Sequence, residues 1–561
     1  VTLSVARVES AVAAQVAARA LDQVDDPAVH GVGREIDWAG PVDLPLSDEH
    51  TVQAACGIMH VHGRASGAPV ALAVDYASAT AGVLCAQGVL ATLIARYRGM
   101  AVTGVRTSVS QAALLALAQY LAAATADDPP EPIEPGTSAF TCADGRRFEL
   151  ETLEPIRWLD FWTRLGAEPA AVGRGWRAFQ QRFATATCPM PDALRAEVRR
   201  RPFAVVHGAA DAAGVDLMGI RDEPDPPTTA RPWTLAPFPD TVSTGLGPTA
   251  DKPLSGVRVV ESTRRVQGPM AGHILRLLGA DVVRIEPPGG DPMRGIPPIA
   301  GTCSARFSAL NAGKTVAEID IKSAPGRRAV HELVAGADVF LHNWAPGKAA
   351  QLQLDADDLR RTSPGLVYAW SSGWGDAFGA ASPVGTDFLV QAYTGLAAAV
   401  CPADEPPLPS LMTLTDVFGG LICAQGVLAA LLDRIRTGQG GRVDSSLFSA
   451  ATAIPRRARR VEWTPLHRPV RTEDGYLALG QDACPDRLAR VLGLGASVGH
   501  HEIISRIGTK PTGWWLDRLR DSGVSAMPVC TDLRELAMDP RFGRAIAVDE
   551  HAFARTPWEF W

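Results

Sequence analysis

One string of residues occurs twice in this chain. Cys85-Ala86-Gln87-Gly88-Val89-Leu90-Ala91 returns 338 positions later as Cys423-Ala424-Gln425-Gly426-Val427-Leu428-Ala429. The register runs without a gap from about residue 82 to 113, with Gly82/Gly420, Leu93/Leu431, Arg96/Arg434, Arg98/Arg436, Val105/Val443 and Ser108/Ser446 identical. A chain of 561 residues exceeds one hydrophobic core, so a duplicated unit organises at least two. The copies differ where the repeated helix begins: the second has Asp416, the first Ser78. A carboxylate kept in one copy and absent from the other predicts one active and one silent half.

The net charge of −7 gives no general attraction to nucleic acid or an acidic membrane, so an anionic ligand must be held by local basic residues. The nine cysteines are scattered, odd in number and without a CxxC pair. They read as buried small hydrophobes of a reducing compartment, not as a disulfide framework or a metal site. With no signal-peptide pattern, and with apolar runs that are alanine-rich and broken by glycine or charge, no membrane span and a cytoplasmic location are expected.

Residues 1–222 form the first copy. Residues 223–254 carry eight prolines and no amphipathic period, and read as an extended linker. The second copy occupies 255–561, with a Rossmann-like part over about 255–450 and a small domain over about 465–545. Its opening alternates strands (257–261, 281–286, 316–320, 338–342, 366–370) with helices (269–278, 326–335), a spacing that suits right-handed crossovers and a parallel sheet. The loop after the first strand, Ser262-Thr263-Arg264-Arg265-Val266-Gln267-Gly268-Pro269, lacks GxGxxG. That disfavours a nicotinamide or flavin dinucleotide. Its two arginines still suit a phosphate beside a helix N-terminus. The first copy shows no counterpart of this sheet before its repeated helix. Ala143-Asp144-Gly145-Arg146 parallels Glu473-Asp474-Gly475-Tyr476, and Ala213-Gly214-Val215 parallels Ser522-Gly523-Val524, so each copy ends in a small domain. The two repeated helices, rich in small residues, are expected to pack on each other across a pseudo-twofold axis.

By itself Asp416 reads as a helix N-cap, a role that Ser78 could fill in the other copy. Several stretches add a resemblance to the family III CoA-transferases, which include formyl-CoA transferase, carnitine CoA-transferase and the side branch of α-methylacyl-CoA racemase. They are Pro253 to Glu261, Leu278 to Pro292 (LGADVVRIEPPGGDP), Asn343-Trp344-Ala345-Pro346-Gly347, Thr415-Asp416 through Leu431, and Val443-Asp444-Ser445-Ser446-Leu447. The likeness covers nearly all of 253–560, and the first copy only from about 75 to 215.

The resemblance implies an α/β fold with a Rossmann-like parallel sheet and a small α+β domain, here internally duplicated. It implies an acyl-CoA:carboxylate CoA-transferase with Asp416 as covalent nucleophile, passing through a mixed anhydride and an aspartyl-CoA thioester. Backbone N–H groups at Gly419 and Gly420 would stabilise the oxyanion, with Asp387 and Thr386 in supporting positions. It places CoA contacts at Arg264, Arg265, Gln267, Pro287, Lys322, Asn343 and Trp344. Coenzyme A or acyl-CoA is then a substrate, no cofactor is tightly bound, and no metal is required. The expected partners are an acyl-CoA and a carboxylic acid, with no nucleic acid and no membrane, in an intrachain pseudo-dimer or a homodimer. Glu286 is expected in a structural hydrogen bond, and Arg456-Arg457-Ala458-Arg459-Arg460 on a solvated helix face.

The chain departs from the family pattern at several places. Thr386 stands where the racemase branch has histidine, and no histidine lies between His342 and His467, so proton exchange at an α-carbon is poorly supplied. Gln351 occupies the place of a CoA-contacting arginine. No glycine-rich lid is visible between 451 and 475, and the chain stops at Trp561 where relatives continue through a helix. Two alternatives stay open: an acyl-CoA racemase or isomerase of the same fold, and a non-catalytic acyl-CoA-binding protein.

Overall fold

The computed structural model describes residues 7–128, 133–239, 245–481, 483–495 and 498–561. A seven-stranded sheet dominates the second half. Its strand order is Thr315–Glu318, Asp281–Glu286, Arg258–Ser262, Val339–His342, Val367–Ser372, Gly441–Ser446, Trp233–Pro237. The first six run parallel and the last antiparallel. Val339–His342 is buried throughout, as a central parallel strand covered on both faces must be. The strand order reverses between Arg258–Ser262 and Val339–His342, which opens a crevice beyond their C-terminal ends.

The proline-rich segment is not only a linker. Trp233–Pro237 is a strand hydrogen-bonded to Gly441–Ser446, a place where prolines are tolerated because an edge strand leaves half its N–H groups unpaired. Residues 240–244 lie outside the described residues. The expectation that nothing ahead of the first repeated helix corresponds to this sheet is corrected in part. Arg7–Val8, Gly33–Asp37 and Gly104–Ser108 form a short parallel sheet, closed by the antiparallel strand Glu559–Phe560.

These two antiparallel strands exchange partners. The strand that follows the small unit of the first half joins the sheet of the second, and the strand that follows the second small unit joins the sheet of the first. The small units cross over in the same way. Strands Arg147–Glu151 and Asp216–Gly219 pack on helix Asp387–Thr394, while Tyr476–Leu479 and Ala526–Pro528 pack on helix Glu49–Ala55. Arg221 N–H donates to the Ala392 carbonyl, and Cys530 N–H to the Ala54 carbonyl, the same position in the two copies. The two halves of the chain are therefore interlocked.

The two long helices, Tyr76–Tyr97 and Leu414–Thr437, pack on each other at the centre. The Tyr76 hydroxyl donates to the carbonyl of Leu414, its own repeat equivalent, at 2.9 Å. Gln87 Nε2 donates to Leu421 O at 2.7 Å. Both helices are long and apolar enough to cross a membrane, against the expectation from sequence, but their apolar windows are 100% and 94% buried in the protein. The repeated glycines serve each half separately. A Cβ at Gly88 would lie 2.6 Å from Val105 and 2.9 Å from Trp558, and one at Gly426 would lie 2.6 Å from Val443 and 3.2 Å from Trp233. Close approach of each helix to its sheet and to an exchanged tryptophan thus explains why glycine stands at both positions.

Trp558 is 5% exposed and its Nε1 donates to Leu84 O at 2.7 Å. Truncating such a buried aromatic leaves a cavity and removes the indole's hydrogen bond. Trp558→Ala should lower unfolding stability by about 3–5 kcal/mol, measured by urea denaturation. A loss below about 1 kcal/mol would mean that the returning strand contributes little.

Candidate active site

Helix Leu414–Thr437 begins after Thr413, which sits in the left-handed region (φ 57°) and makes no side-chain cap. The cap comes from another helix. Asp387 Oδ2 accepts Thr415 N–H at 2.6 Å, the Thr415 hydroxyl at 2.7 Å and Asp416 N–H at 2.8 Å. Gln391 donates to Asp387 Oδ1. The same amide clamps Ser410, donating to its carbonyl and accepting its N–H, both at 2.9 Å. The carboxylate thereby satisfies helix N–H groups that have no partner of their own and meets the positive end of the helix dipole.

The first half repeats this arrangement at the same offset. Glu49 accepts Ala77 N–H and Ser78 N–H at 2.9 Å each and the Ser78 hydroxyl at 2.6 Å. Gln53 donates to Glu49 at 3.1 Å and accepts Leu72 N–H at 2.9 Å. Glu49/Asp387, Gln53/Gln391, Leu72/Ser410, Ala77/Thr415 and Ser78/Asp416 are all equivalent positions.

Asp416 is therefore not the cap, which corrects the reading from sequence. Its carboxylate accepts no hydrogen bond among the described residues and is partly exposed. Ser78, by contrast, is 1% exposed and tied to Glu49. One half presents a free carboxylate; the other is sealed.

Burial pushes the Asp416 carboxyl well above the usual carboxylate range, helped by the neighbouring Asp387 charge and more weakly by Glu151, and opposed by Arg265. Burial also raises Asp387, opposed by its bonds from Gln391, Thr415 and the helix amides. Arg265 itself has φ +64°, a conformation that costs a side-chain-bearing residue on the order of 1 kcal/mol. Its guanidinium carbon lies 5.5 Å from the Phe183 ring centre.

Glu151, Arg182 and Phe183 all come from the small unit of the first half. Arg182 pairs with Glu151 at 2.7 Å and stacks 4.7 Å from the Phe388 ring centre. The crossed-over unit thus places Glu151 and Phe183 near Asp416 and Arg265. Sequence reasoning missed these three residues, since nothing in a linear reading says which half a small unit covers. A signal for Glu49 and Asp387 did exist: Val52/Val390, Gln53/Gln391, Ala54/Ala392 and Gly57/Gly395 keep the repeat's offset.

The remaining expected site residues divide. Arg264, Arg265, Pro287, Lys322, Asn343 and Trp344 all stand at the C-terminal edge of the parallel sheet. Arg264–Arg265 and Asn343–Trp344 flank the crevice where strand order reverses. Asn343 bonds the Arg264 backbone twice, accepting its N–H at 3.0 Å and donating to its carbonyl at 2.9 Å, so it fixes the loop that carries both arginines. Pro287 and Trp344 are partly exposed, and Lys322 is exposed. Glu286 holds Arg294 at 2.7 Å and accepts Asp291 N–H at 2.9 Å, bracing the loop after Pro287.

Gln267 is corrected: it is 5% exposed and its amide donates to Ser372 O at 3.1 Å, facing inward beneath the helix. Gly419 and Gly420 are corrected too. They lie more than one turn inside the helix, where N–H groups serve its own ladder, and a Cβ at Gly420 would meet Gln267 O at 2.5 Å. They are packing residues, not oxyanion donors. Thr386 precedes helix Asp387–Thr394, with its hydroxyl buried and without a partner among the described residues. The arginine run is no helix face: residues 454–463 are irregular, and Arg456 and Arg460 donate to carbonyls of Ala451 and Pro402.

Residues 29–222 and 254–551 both match the model of CoA-transferase family III, and the chain belongs to that family. Succinyl-CoA:glutarate CoA-transferase of Mus musculus is 33% identical over 267 residues, covering 44% of this chain and 59% of the mouse protein. Succinate–glutarate CoA-transferase of Agrobacterium fabrum is 29% identical over 348 residues, covering 54% and 87%. The crystal structure of a CAIB/BAIF family protein from Brucella suis aligns with a TM-score of 0.50 at 28% identity, over 55% of this chain and 92% of that one. The chain thus spans about six-tenths of the mouse relative's length.

The raised pKa of Asp416 has a thermodynamic sign. Between its ordinary pKa and its value in the fold, the native chain holds a proton that the unfolded chain has released, so stability falls as pH rises through that window. Asp416→Asn should raise the melting temperature at pH 7, and the gain should shrink as pH falls through that window and vanish below the ordinary carboxylate range. A lower melting temperature at pH 7 would show that stabilising contacts hold the charged form.

Proposed function

We propose that this chain is an acyl-CoA:carboxylate CoA-transferase in which Asp416 is the covalent nucleophile. The carrying observation is a carboxylate free of hydrogen bonds, on a helix start fixed by a different carboxylate, between the CoA-side loop and a covering small unit. The names of the relatives support CoA transfer between carboxylic acids.

The Asp416 carboxylate attacks the thioester carbonyl, and the C–S bond breaks to give a mixed anhydride and CoA thiolate. The thiolate attacks the aspartyl carbonyl, which releases the donor acid as its carboxylate and leaves an aspartyl-CoA thioester. The acceptor carboxylate then attacks that thioester, freeing the thiolate again. The thiolate closes the cycle on the acceptor's acyl carbon, and Asp416 leaves unchanged. No proton is consumed. Desolvation that raises the pKa of Asp416 also makes its ionised form a stronger nucleophile, while Arg265 keeps that form accessible. The unit carrying Glu151 and Arg182 shields the anhydride from water.

CoA would lie across the sheet's C-terminal edge, with Arg264, Arg265 and Lys322 toward its phosphates and Trp344 as a flat apolar surface. The silent half completes the site within one chain, so a monomer suffices for activity in this reading. The racemase alternative gains nothing from the geometry, because Thr386 offers no base.

Incubating the protein with succinyl-CoA and hydroxylamine, followed by peptide mass spectrometry, should reveal a hydroxamate at Asp416. Asp416→Ala should lower kcat by roughly a thousandfold or more. The rate should fall as pH drops through the raised pKa, above the ordinary carboxylate range. An unmodified Asp416 with transfer intact would defeat the mechanism, and α-proton exchange without an acceptor acid would favour the racemase.

A further inference from the structure

Residues 410–414 lead into the helix that carries Asp416, and their backbone is unusual. Thr413 has φ +57°, which brings Cβ too close to the following carbonyl oxygen and is rare for a β-branched residue. Its repeat equivalent, Asp75, takes φ −80° and leads into the equivalent helix. The two turns thus differ just ahead of the place where one helix start offers Asp416 and the other Ser78. A left-handed threonine persists only where its surroundings hold it.

Part of that hold comes from its own half. Gln391 brackets the main chain of Ser410 with two hydrogen bonds, and Asp387 collects the amides of Thr415 and Asp416. Between these anchors the side chains of the first half take over. His62 Nδ1 lies 2.9 Å from the Ser410 hydroxyl oxygen, which also accepts Met412 N–H at 3.3 Å. On the far side of Thr413, the Tyr76 hydroxyl donates to Leu414 O at 2.9 Å. The Tyr120 hydroxyl adds a longer contact to Leu411 O, 3.4 Å.

The grip is one-sided. At the repeat offset His62 corresponds to Val400, Tyr76 to Leu414 and Ser410 to Leu72. None of these three equivalents carries a hydrogen-bonding side chain, so the second half cannot return the two bonds. Further along the central helices the exchange is even: Gln87 reaches Leu421 O in the second half, and its equivalent Gln425 reaches Ala20 O in the first. A hydroxyl as buried as that of Tyr76, 0% exposed, needs a partner. The partner it has is a carbonyl in the first turn of the helix bearing Asp416. Filling space would need neither group, since valine and leucine serve at the equivalent places.

We propose that His62 and Tyr76 are positioning residues, which hold the left-handed turn at Thr413 and so set where Asp416 stands for reaction. The inference rests on the transferase reading above and gives the first half a part in it. The half without the nucleophile keeps the nucleophile's turn in place.

The test uses full-length variants. Tyr76→Phe removes one hydroxyl and keeps the ring beside Phe418, and His62→Leu removes the imidazole. Hydrogen-exchange mass spectrometry should show faster exchange around 410–418 in each, and no change around 430–437 at the far end of the helix. With succinyl-CoA and hydroxylamine, the rate of hydroxamate formation at Asp416 should fall roughly fivefold in each variant, with CoA affinity by calorimetry unchanged. His62→Gln, which keeps a hydrogen-bonding side chain, should recover much of the loss. Thr413→Gly, for which left-handed φ carries no steric cost, should shrink the effect of Tyr76→Phe in a double-mutant cycle. Gln87→Met, which breaks a bond between the halves beyond this turn, should lower the melting temperature and leave the rate unchanged. Unaltered exchange in Tyr76→Phe and His62→Leu would overturn the grip. Faster exchange with an undiminished rate would overturn its part in the reaction, as would an equal loss of rate in Gln87→Met. Faster exchange in the variants of a chain that forms no hydroxamate at all would instead sink the transferase reading and leave the grip standing.

Discussion

Everything at the centre of this molecule depends on a carboxylate that reaches from one helix to the start of another. Asp387 takes three donors from the first turn of the Leu414–Thr437 helix. That fixes the start of the helix that carries Asp416 while its own oxygens accept no bond among the described residues. Had Asp416 been the cap, its lone pairs would be engaged. In the proposed mechanism, dividing the work between two acids separates holding the helix from the chemistry, and placing the two side by side lets each act on the titration of the other.

The internal repeat shows which parts of this arrangement recur in both halves. Glu49 and Gln53 reproduce the holding function in the first half, down to the clamp on Leu72. What that half lacks is a counterpart of Asp416 and of half the parallel strands: among the described residues its sheet has three parallel strands where the other has six. The first half contributes its central helix and the small unit that carries Glu151, Arg182 and Phe183.

Much of this was legible in the residues. The repeat revealed two halves. The strand and helix alternation of the second half matches the sheet to within a residue or two, because β-branched runs buried on both faces leave little choice of register. The family likeness, anchored on motifs of the loops after those strands, brought most of the expected CoA positions to one edge. What escaped was set by long-range pairing. Trp233–Pro237 read as linker because prolines at 232 and 237 bracket it, and only its partner Gly441–Ser446 makes it a strand. Gln267 and the Gly419–Gly420 pair were assigned chemistry, yet the close crossing of two helices decides both. Asp416 read as a cap because a helix start needs an acceptor, and sequence gives no sign that the acceptor comes from Asp387.

The exchange of closing strands has an architectural consequence for any attempt to divide the chain. Cutting within 223–254 would not liberate two modules. Were the fragments parted, Gly104–Ser108 would lose Glu559–Phe560 and Gly441–Ser446 would lose Trp233–Pro237. Each would be left with a bare hydrogen-bonding border, the kind of surface on which foreign strands stack. The two halves are bound like clasped hands, and a covalent tether between them ensures that each finds the grip it was shaped for.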